Sequence, residues 1–170
     1  MFPTPIYAII DIDNHIDYSG GTDYSMDNLV DEYIRSDPRG RNIMVAAVTR
    51  SSDVRASETP NAVMTTLASP SLCGTRDLSL WRVHARAGAV GPVHVFDSEQ
   101  IWTLVSGEAS FIVDGETFAL DAGDTIQLAA NVTRQLNIAA DAEFIVSGYG
   151  SAKATTPGSG TDGITPPWIQ

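Results

Sequence analysis

Hydrophobic and polar residues alternate along a series of short segments in the second half of the chain. In the first of these segments, residues 100–105, three side chains fall on each face of an extended strand. Gly107 is predicted to make a tight turn, and Asp114-Gly115 to form a two-residue hairpin turn. The remaining predicted strands follow at close spacing: Glu108–Val113, Glu116–Leu120, Thr125–Leu128, Val132–Ile138 and Glu143–Ser147. The regular, close spacing of these short strands predicts an all-β sandwich or barrel of antiparallel strands.

The first half of the chain predicts an extension, residues 1–58, in front of a barrel over residues 59–149. Within the extension, Ile6–Ile12 is predicted to be a strand, and Ser25 to be the N-cap of a helix over Met26–Ile34. Ile43–Thr49 is predicted to be a strand, and Arg50–Pro60 a polar linker. Two further strands, Ala62–Ala68 and Leu78–Ala85, lead into the segments described above.

The last segment, residues 150–170, is rich in Gly, Ser, Thr and Pro. Such a composition seldom packs by itself. Trp168 and Ile169 are the side chains that could dock it on the barrel surface.

Nine residues fall on the spacing of two known motifs: Gly88, His94, Phe96, Gln100 and Gly107 in the first, and Gly123, Ala129, Asn131 and Arg134 in the second. This spacing resembles that of the cupins. The first cupin motif reads Gly, five residues, His-x-His, three or four residues, Glu, six residues, Gly. In the second motif only Gly123 matches by residue type. The resemblance implies a double-stranded β-helix, or jelly-roll barrel, here with a short N-terminal extension containing one helix.

The resemblance also implies a position for each ligand of the metal that many cupins bind. Those four positions hold His94, Phe96, Gln100 and Arg134. Phe96 offers no donor atom, and a guanidinium repels a cation. Because a mononuclear site needs three or four converging His or carboxylate donors, we predict that the protein uses neither a metal nor another cofactor.

The same residues suggest metal-free catalysis on a small anionic or enolisable molecule. His94 would be the general acid or base, and Arg134 would bind a carboxylate or stabilise an enolate oxygen. Gln100 would orient the substrate by hydrogen bonding, while an apolar wall would come from Phe96, Trp102 and Leu136. The reaction classes that fit are isomerisation, dehydration (a lyase reaction) and ring closure of a polyketide-like substrate by a cyclase, in specialised metabolite biosynthesis.

Two other functions remain open. The chain could be a non-catalytic cupin, either one that binds a small molecule or an inactive barrel with no chemistry left, with His94 as a structural histidine. It could also be a metal-dependent cupin oxygenase. Arg82 and His84 share one face of their strand. They would add an anion-binding strip if that face lines the barrel, and otherwise they form a solvated edge, which is the usual environment of arginine. A barrel interior filled by side chains would favour the inactive alternative.

Charge and cysteine content limit the partners. The net charge of −11 argues against nucleic acid and against an anionic membrane surface. The single cysteine, Cys73, excludes an intramolecular disulfide. Residues 1–10 lack the features of a signal peptide, so a cytoplasmic location is expected. An N-terminal strand that pairs with a neighbouring subunit would give a homodimer.

Overall fold

The computed structural model describes residues 30–160 and 162–170, and the predicted strand Ile6–Ile12 lies outside them. The described chain is almost entirely extended. Its elements are β1 Val30–Ser36, β2 Asn42–Thr49, β3 Arg55–Glu58, β4 Ala62–Ala68, α1 Pro70–Cys73, β5 Leu78–Ala85, β6 His94–Phe96, β7 Gln100–Val113, β8 Glu116–Asp121, β9 Thr125–Leu128, β10 Thr133–Tyr149 and β11 Ala154–Thr155. None of the helices in this part of the chain has the length and apolar character needed to cross a membrane.

Within the described residues, the strands form a small hairpin, β1–β2, and one nine-stranded sheet that curls into a barrel. The sheet runs in the order β11-β6-β10-β5-β4-β3, and β7 pairs with β10, β8 and β9. Every pairing is antiparallel. The predicted all-β barrel is therefore confirmed. The sheet also takes in β3 and β11, which lie beyond the predicted barrel boundaries at residues 59 and 149.

Two long strands, β7 and β10, replace four predicted shorter ones. Gly107 lies inside β7 and makes no turn, so that prediction was wrong. Its φ of +93° bends the strand. The register between β7 and β10 shifts at three places between Ile138 and Phe144, where β10 bends as well. Bulges of this kind let one continuous strand turn a barrel corner, which the alternation pattern alone reads as a break.

The Asp114-Gly115 turn is confirmed as the hairpin connection between β7 and β8. Both residues have positive φ, +47° and +89°, as a type I′ turn requires. The Asp114 carboxylate also accepts hydrogen bonds from the backbone N–H and the hydroxyl of Thr133, at 2.8 and 2.7 Å. These bonds fasten the hairpin to the start of β10.

Two predictions for the N-terminal part were wrong. Residues 30–34 of the predicted helix belong to β1, which pairs with β2 from Val30↔Thr49 to Ser36↔Asn42; residues 26–29 lie outside the described part. A single stripe over nine residues is weak evidence for a helix, and the cross-strand partner decides in favour of a strand. The predicted polar linker contains β3, whose hydrogen bonds come from the edge of β4.

The barrel interior is built by strict alternation along the strands. In β5, Ser79, Trp81, Val83 and Ala85 are buried while the intervening residues are exposed. Buried aromatic side chains meet them from β7 and β10, where the rings of Phe111 and Phe144 lie 6.4 Å apart in an edge-to-face arrangement. The core therefore lies between the inner faces of the curled sheet.

The C-terminal segment packs against the barrel. The Ile169 side chain is fully buried. The carbonyl oxygen of Ile169 accepts a hydrogen bond from the Ser79 hydroxyl at 2.6 Å, and that of Trp168 accepts one from the Thr66 hydroxyl at 2.8 Å. Arg55 donates to the Gln170 carbonyl oxygen at 2.7 Å. The docking that the sequence allowed for Trp168 and Ile169 is thus observed.

Replacing Ile169 by alanine is expected to destabilise the protein by about 2–4 kcal/mol, because it removes buried methyl groups and leaves a cavity. Urea unfolding followed by circular dichroism measures the change. Ile164→Ala is the matched control, since Ile164 is 72% exposed and its loss should cost less than about 1 kcal/mol. A loss below about 1 kcal/mol for Ile169→Ala as well would show that Ile169 contributes no core packing.

Candidate functional site

A cavity of about 590 Å³ occupies the interior of the barrel. This volume suits a drug-sized or smaller organic molecule. The strands contribute an apolar wall, and residues 154–156, 162, 164 and 166–168 of the tail line one side of the cavity. All three tryptophans of the sequence are in the lining. The main lining side chains are Met64, Trp81, Val83, His94, Phe96, Gln100, Trp102, Phe111, Leu136, Ile138, Ile164 and Trp168.

His94, at the start of β6, brings a titratable side chain into this lining. Its Nδ1 lies 2.8 Å from the carbonyl oxygen of Pro92. A carbonyl only accepts, so Nδ1 carries the proton in the neutral ring and Nε2 keeps its lone pair. Burial lowers the pKa of His94 below 6.5, the Pro92 hydrogen bond acts in the opposite direction, and the positive charge of Arg134 lowers it further. The imidazole is therefore neutral at neutral pH.

Gln100, the first residue of β7, is the centre of a buried polar cluster. Its Oε1 accepts one hydrogen bond from Trp102 Nε1 at 3.0 Å and a second from Arg134 Nη1 at 3.2 Å. The Gln100 side chain is fully buried. Gly148 leaves room for it, since a Cβ there would lie 3.2 Å from Gln100 Cγ.

Arg134, near the start of β10, is the buried cation of the cluster. It is 1% exposed and pairs with His94 in the antiparallel ladder. Its Nη2 donates to the Ala129 carbonyl oxygen at 2.7 Å, and its Cζ lies 5.5 Å from the centre of the Phe96 ring. Burial lowers its pKa to about 10, so the side chain is still charged at neutral pH.

Two donor atoms of this cluster have no hydrogen-bond partner among the described residues: Gln100 Nε2 and Arg134 Nε. Nor does any carboxylate of the described chain form an ion pair with Arg134. A buried donor without an acceptor costs about 1–3 kcal/mol. The barrel interior therefore holds a positive charge and an unused amide donor next to a cavity.

The structure brings most of the predicted site residues together. His94, Phe96, Gln100, Trp102 and Leu136 line the cavity. Arg134 is buried but is not among the lining residues, and it contacts two of them, Gln100 by a hydrogen bond and Phe96 by its ring. This position corrects the expectation that Arg134 contacts a substrate directly.

Arg82 and His84 lie elsewhere, on the outer face of β5, where both are exposed. Arg82 Nε is 3.6 Å from Glu143 Oε1 on the same surface. The predicted anion-binding strip inside the barrel is therefore wrong, and the solvated alternative applies. The reason is parity: the inner face of β5 carries Trp81, Val83 and Ala85.

Sequence reasoning missed several lining residues, among them Met64, Trp81, Phe111 and Trp168. The signal for Trp81 was present in the β5 alternation, since it shares a face with Val83 and Ala85. Trp168 had no such signal, because it reaches the cavity only through the docking of the tail.

The residues at the four cupin metal positions do not fit a metal ion. They offer one imidazole and one neutral amide, and the guanidinium of Arg134 repels a cation. Among the described residues, no group of three or more His, Cys, Asp or Glu side chains is placed to hold a metal. Glu99, the nearest carboxylate in sequence to Gln100, is exposed and accepts a hydrogen bond from Gln127 at 3.3 Å.

Comparison with known proteins gives relatives by structure alone. No family model and no curated protein matches the sequence. Salicylate 1,2-dioxygenase from Pseudoaminobacter salicylatoxidans, crystallised with gentisate, is similar over 62% of this chain and 31% of its own, with 16% identity and a TM-score of 0.54. The chain thus spans about a third of that dioxygenase.

Two other solved structures are similar. An RmlC-like cupin from Shewanella frigidimarina shares 19% identity over 60% of this chain and 88% of its own, with a TM-score of 0.52. The W96F variant of oxalate decarboxylase from B. subtilis shares 14% identity over 58% of this chain and 27% of its own, with a TM-score of 0.51. At these identities the likeness concerns the fold. The chain therefore shares the β-barrel fold of these proteins.

Proposed function

We propose that the protein binds an apolar, enolisable small molecule in the barrel and transfers a proton on it without a metal, with His94 as the base. Proton removal next to a carbonyl is the step shared by isomerisation, dehydration and ring closure. The isomerase, lyase and cyclase activities predicted from the sequence are thus versions of one proposal. Specialised biosynthesis, a cytoplasmic location and a homodimer stay predictions.

The position and protonation of His94 carry this proposal. The Pro92 carbonyl holds the ring by Nδ1, so Nε2 is the nitrogen available to take a proton from a molecule in the cavity. The lowered pKa keeps this nitrogen unprotonated at neutral pH. Most of the surface that lines the cavity is apolar, and a ligand that fills it would displace water from around His94, which strengthens electrostatic interactions there.

The cluster behind the wall supports the same step. Removing a proton next to a carbonyl leaves negative charge on the carbonyl oxygen. Gln100 and the cation of Arg134 are fixed before any ligand binds, and such preorganised groups stabilise charge that develops in a transition state. Arg134 would act through the Gln100 amide, to which it donates, and so it is a positioning residue.

Exchange of the C1 protons of 2-tetralone, a bicyclic enolisable ketone, for solvent deuterium tests the proposal. In D₂O, the wild-type protein should accelerate loss of the C1 proton signals in the ¹H NMR spectrum. His94→Gln should lower this rate about a hundredfold or more, because general base catalysis typically contributes that much. The rate should be constant near neutral pH and fall in acid with a midpoint below 6.5, since the pKa of His94 is lowered.

His84→Gln is the matched control, because His84 is exposed on the outer face of β5 and should leave the rate unchanged. Quenching of tryptophan fluorescence reports binding separately, since all three tryptophans line the cavity. A ketone that binds to the wild-type protein without accelerated exchange would contradict the proposed catalysis.

A non-catalytic binding cupin is the second candidate. The observation in its favour is that the cavity has few groups that could transfer a proton. Among the described residues that line it, only His94 and Asp162 have titratable side chains. Binding without exchange, unaffected by His94→Gln, would establish this function instead.

A further inference from the structure

The amide group of Gln100 has a fixed direction. Both groups that contact its Oε1, the Trp102 indole N–H and the Arg134 guanidinium, can only donate hydrogen bonds. The atom that they share must therefore be the carbonyl oxygen, and a flipped amide would place N–H against N–H. Nε2 consequently occupies the other branch of the amide, away from both donors.

That nitrogen lacks an acceptor. It is buried and has no partner among the described residues, although Gln100 itself lies in the cavity wall. Buried donors are almost always paired in folded proteins, so this one marks a place where an acceptor from another molecule fits. The neighbouring Arg134 Nε also has no partner in the part of the chain that the structure describes. No carboxylate of that part forms an ion pair with Arg134, and its positive charge therefore favours an acceptor that carries negative charge.

We infer that Gln100 Nε2 donates a hydrogen bond to a carbonyl or enolate oxygen of an aromatic ketone in the cavity, and that Gln100 thereby selects the ligand class. The inference rests on the proposed function, because it concerns the same cavity. The aromatic part follows from the lining. Five aromatic residues surround the space: Trp81, Phe96, Trp102, Phe111 and Trp168. Flat, apolar rings pack well against such walls in offset or edge-to-face arrangements.

Two probes of nearly the same shape test the inference. 2-Acetylnaphthalene carries a carbonyl oxygen, and 2-isopropenylnaphthalene has a CH₂ group in its place. Titration followed by tryptophan fluorescence gives both dissociation constants. The ketone should bind about 10-fold to 100-fold more tightly, since a site built to hydrogen-bond a ligand rejects the analogue that lacks the group.

Gln100→Glu removes the Nε2 donor and adds a negative charge next to the Arg134 guanidinium. The carboxylate has the shape of the amide, still accepts from Trp102 Nε1, and forms an ion pair with Arg134 that keeps it ionised. It should abolish the preference for the ketone while changing the affinity of the hydrocarbon less than about twofold. Gln127→Glu, on the exposed side of β9, makes the same chemical change outside the cavity and should keep the wild-type preference.

A second measurement applies even if Gln100→Glu fails to fold. In the ¹H–¹⁵N spectrum of the wild-type protein, the side-chain NH₂ signals of Gln100 should move on addition of the ketone and stay in place with the hydrocarbon. Equal affinities of the two probes for the wild-type protein, or an unchanged preference in folded Gln100→Glu, would overturn the inference.

The outcome is separate from that of the proposed function. A ketone preference that depends on Gln100, without proton exchange on 2-tetralone, would support the ligand class and remove the catalysis. Exchange that depends on His94, without a preference for the ketone, would support the catalysis and remove the proposed ligand class.

Discussion

Gly107→Ala is expected to destabilise the protein by about 3 kcal/mol or more. Two causes add up at this position. The backbone of Gly107 has a φ of +93°, which costs a residue with a Cβ about 1–2 kcal/mol. A Cβ would also lie 2.1 Å from the Asp141 carbonyl oxygen and 2.7 Å from Ala142 Cα, both atoms of the backbone of β10. Because a backbone cannot move aside as a flexible side chain can, the two long strands would have to separate at the bend.

Gly115→Ala separates the two causes. Gly115 has a φ of +89°, but a Cβ there would meet nothing within 4 Å. This control should therefore lose only the backbone term of about 1–2 kcal/mol. Urea unfolding of both variants measures the difference. If both variants lose the same free energy of unfolding, β7 and β10 do not approach each other at Gly107 as closely as described.

Arg134→Met is expected to lower the rate of proton exchange on 2-tetralone about a hundredfold while the protein stays folded. The methionine fills a similar volume without the charge that would stabilise an enolate oxygen through Gln100. Removing a buried, uncompensated charge offsets the loss of the bonds to Gln100 and Ala129, so the free energy of unfolding should change by less than about 2 kcal/mol.

The pH profile distinguishes this role from simple packing. Since the charge of Arg134 lowers the pKa of His94, its removal should move the acid midpoint of the rate upward, toward 6.5. Arg82→Met is the matched control, because Arg82 is exposed and should change neither the rate nor the midpoint. An unchanged rate in folded Arg134→Met would mean that the buried cation has no part in the chemistry.

The relation between sequence and fold is clearest in the strands that alternate. β4, β5 and β9 have the bounds that the pattern predicts. Alternation is a local property of an extended chain, and burial of one face makes it visible in the sequence. Short segments without a clear pattern were misjudged: β1 was predicted to be part of a helix, and β3 part of a linker. In these two places the partner strand supplies the hydrogen bonds that decide the conformation.

In the candidate site, too, the sequence predicts one part of the arrangement and the fold decides the rest. Strand parity around His94, Phe96 and Gln100 was available from the sequence, and the motif spacing indicated which side chains would gather. The length of a side chain and its neighbours decide how deep it lies, and only the folded barrel fixes these. Arg134 therefore lies behind the cavity wall, where it turns the Gln100 amide.

The sequence by itself determined an antiparallel barrel and the hairpin turn at Asp114-Gly115. The tertiary structure decided that β7 and β10 are continuous, that the tail is part of the cavity wall, and which donors have no partner. The physical reason is that alternation and turn chemistry act between neighbours in the chain. Docking of Trp168 and Ile169 on the barrel, and the pairing of Gln100 with Arg134, need contacts between residues that are 34 or more positions apart.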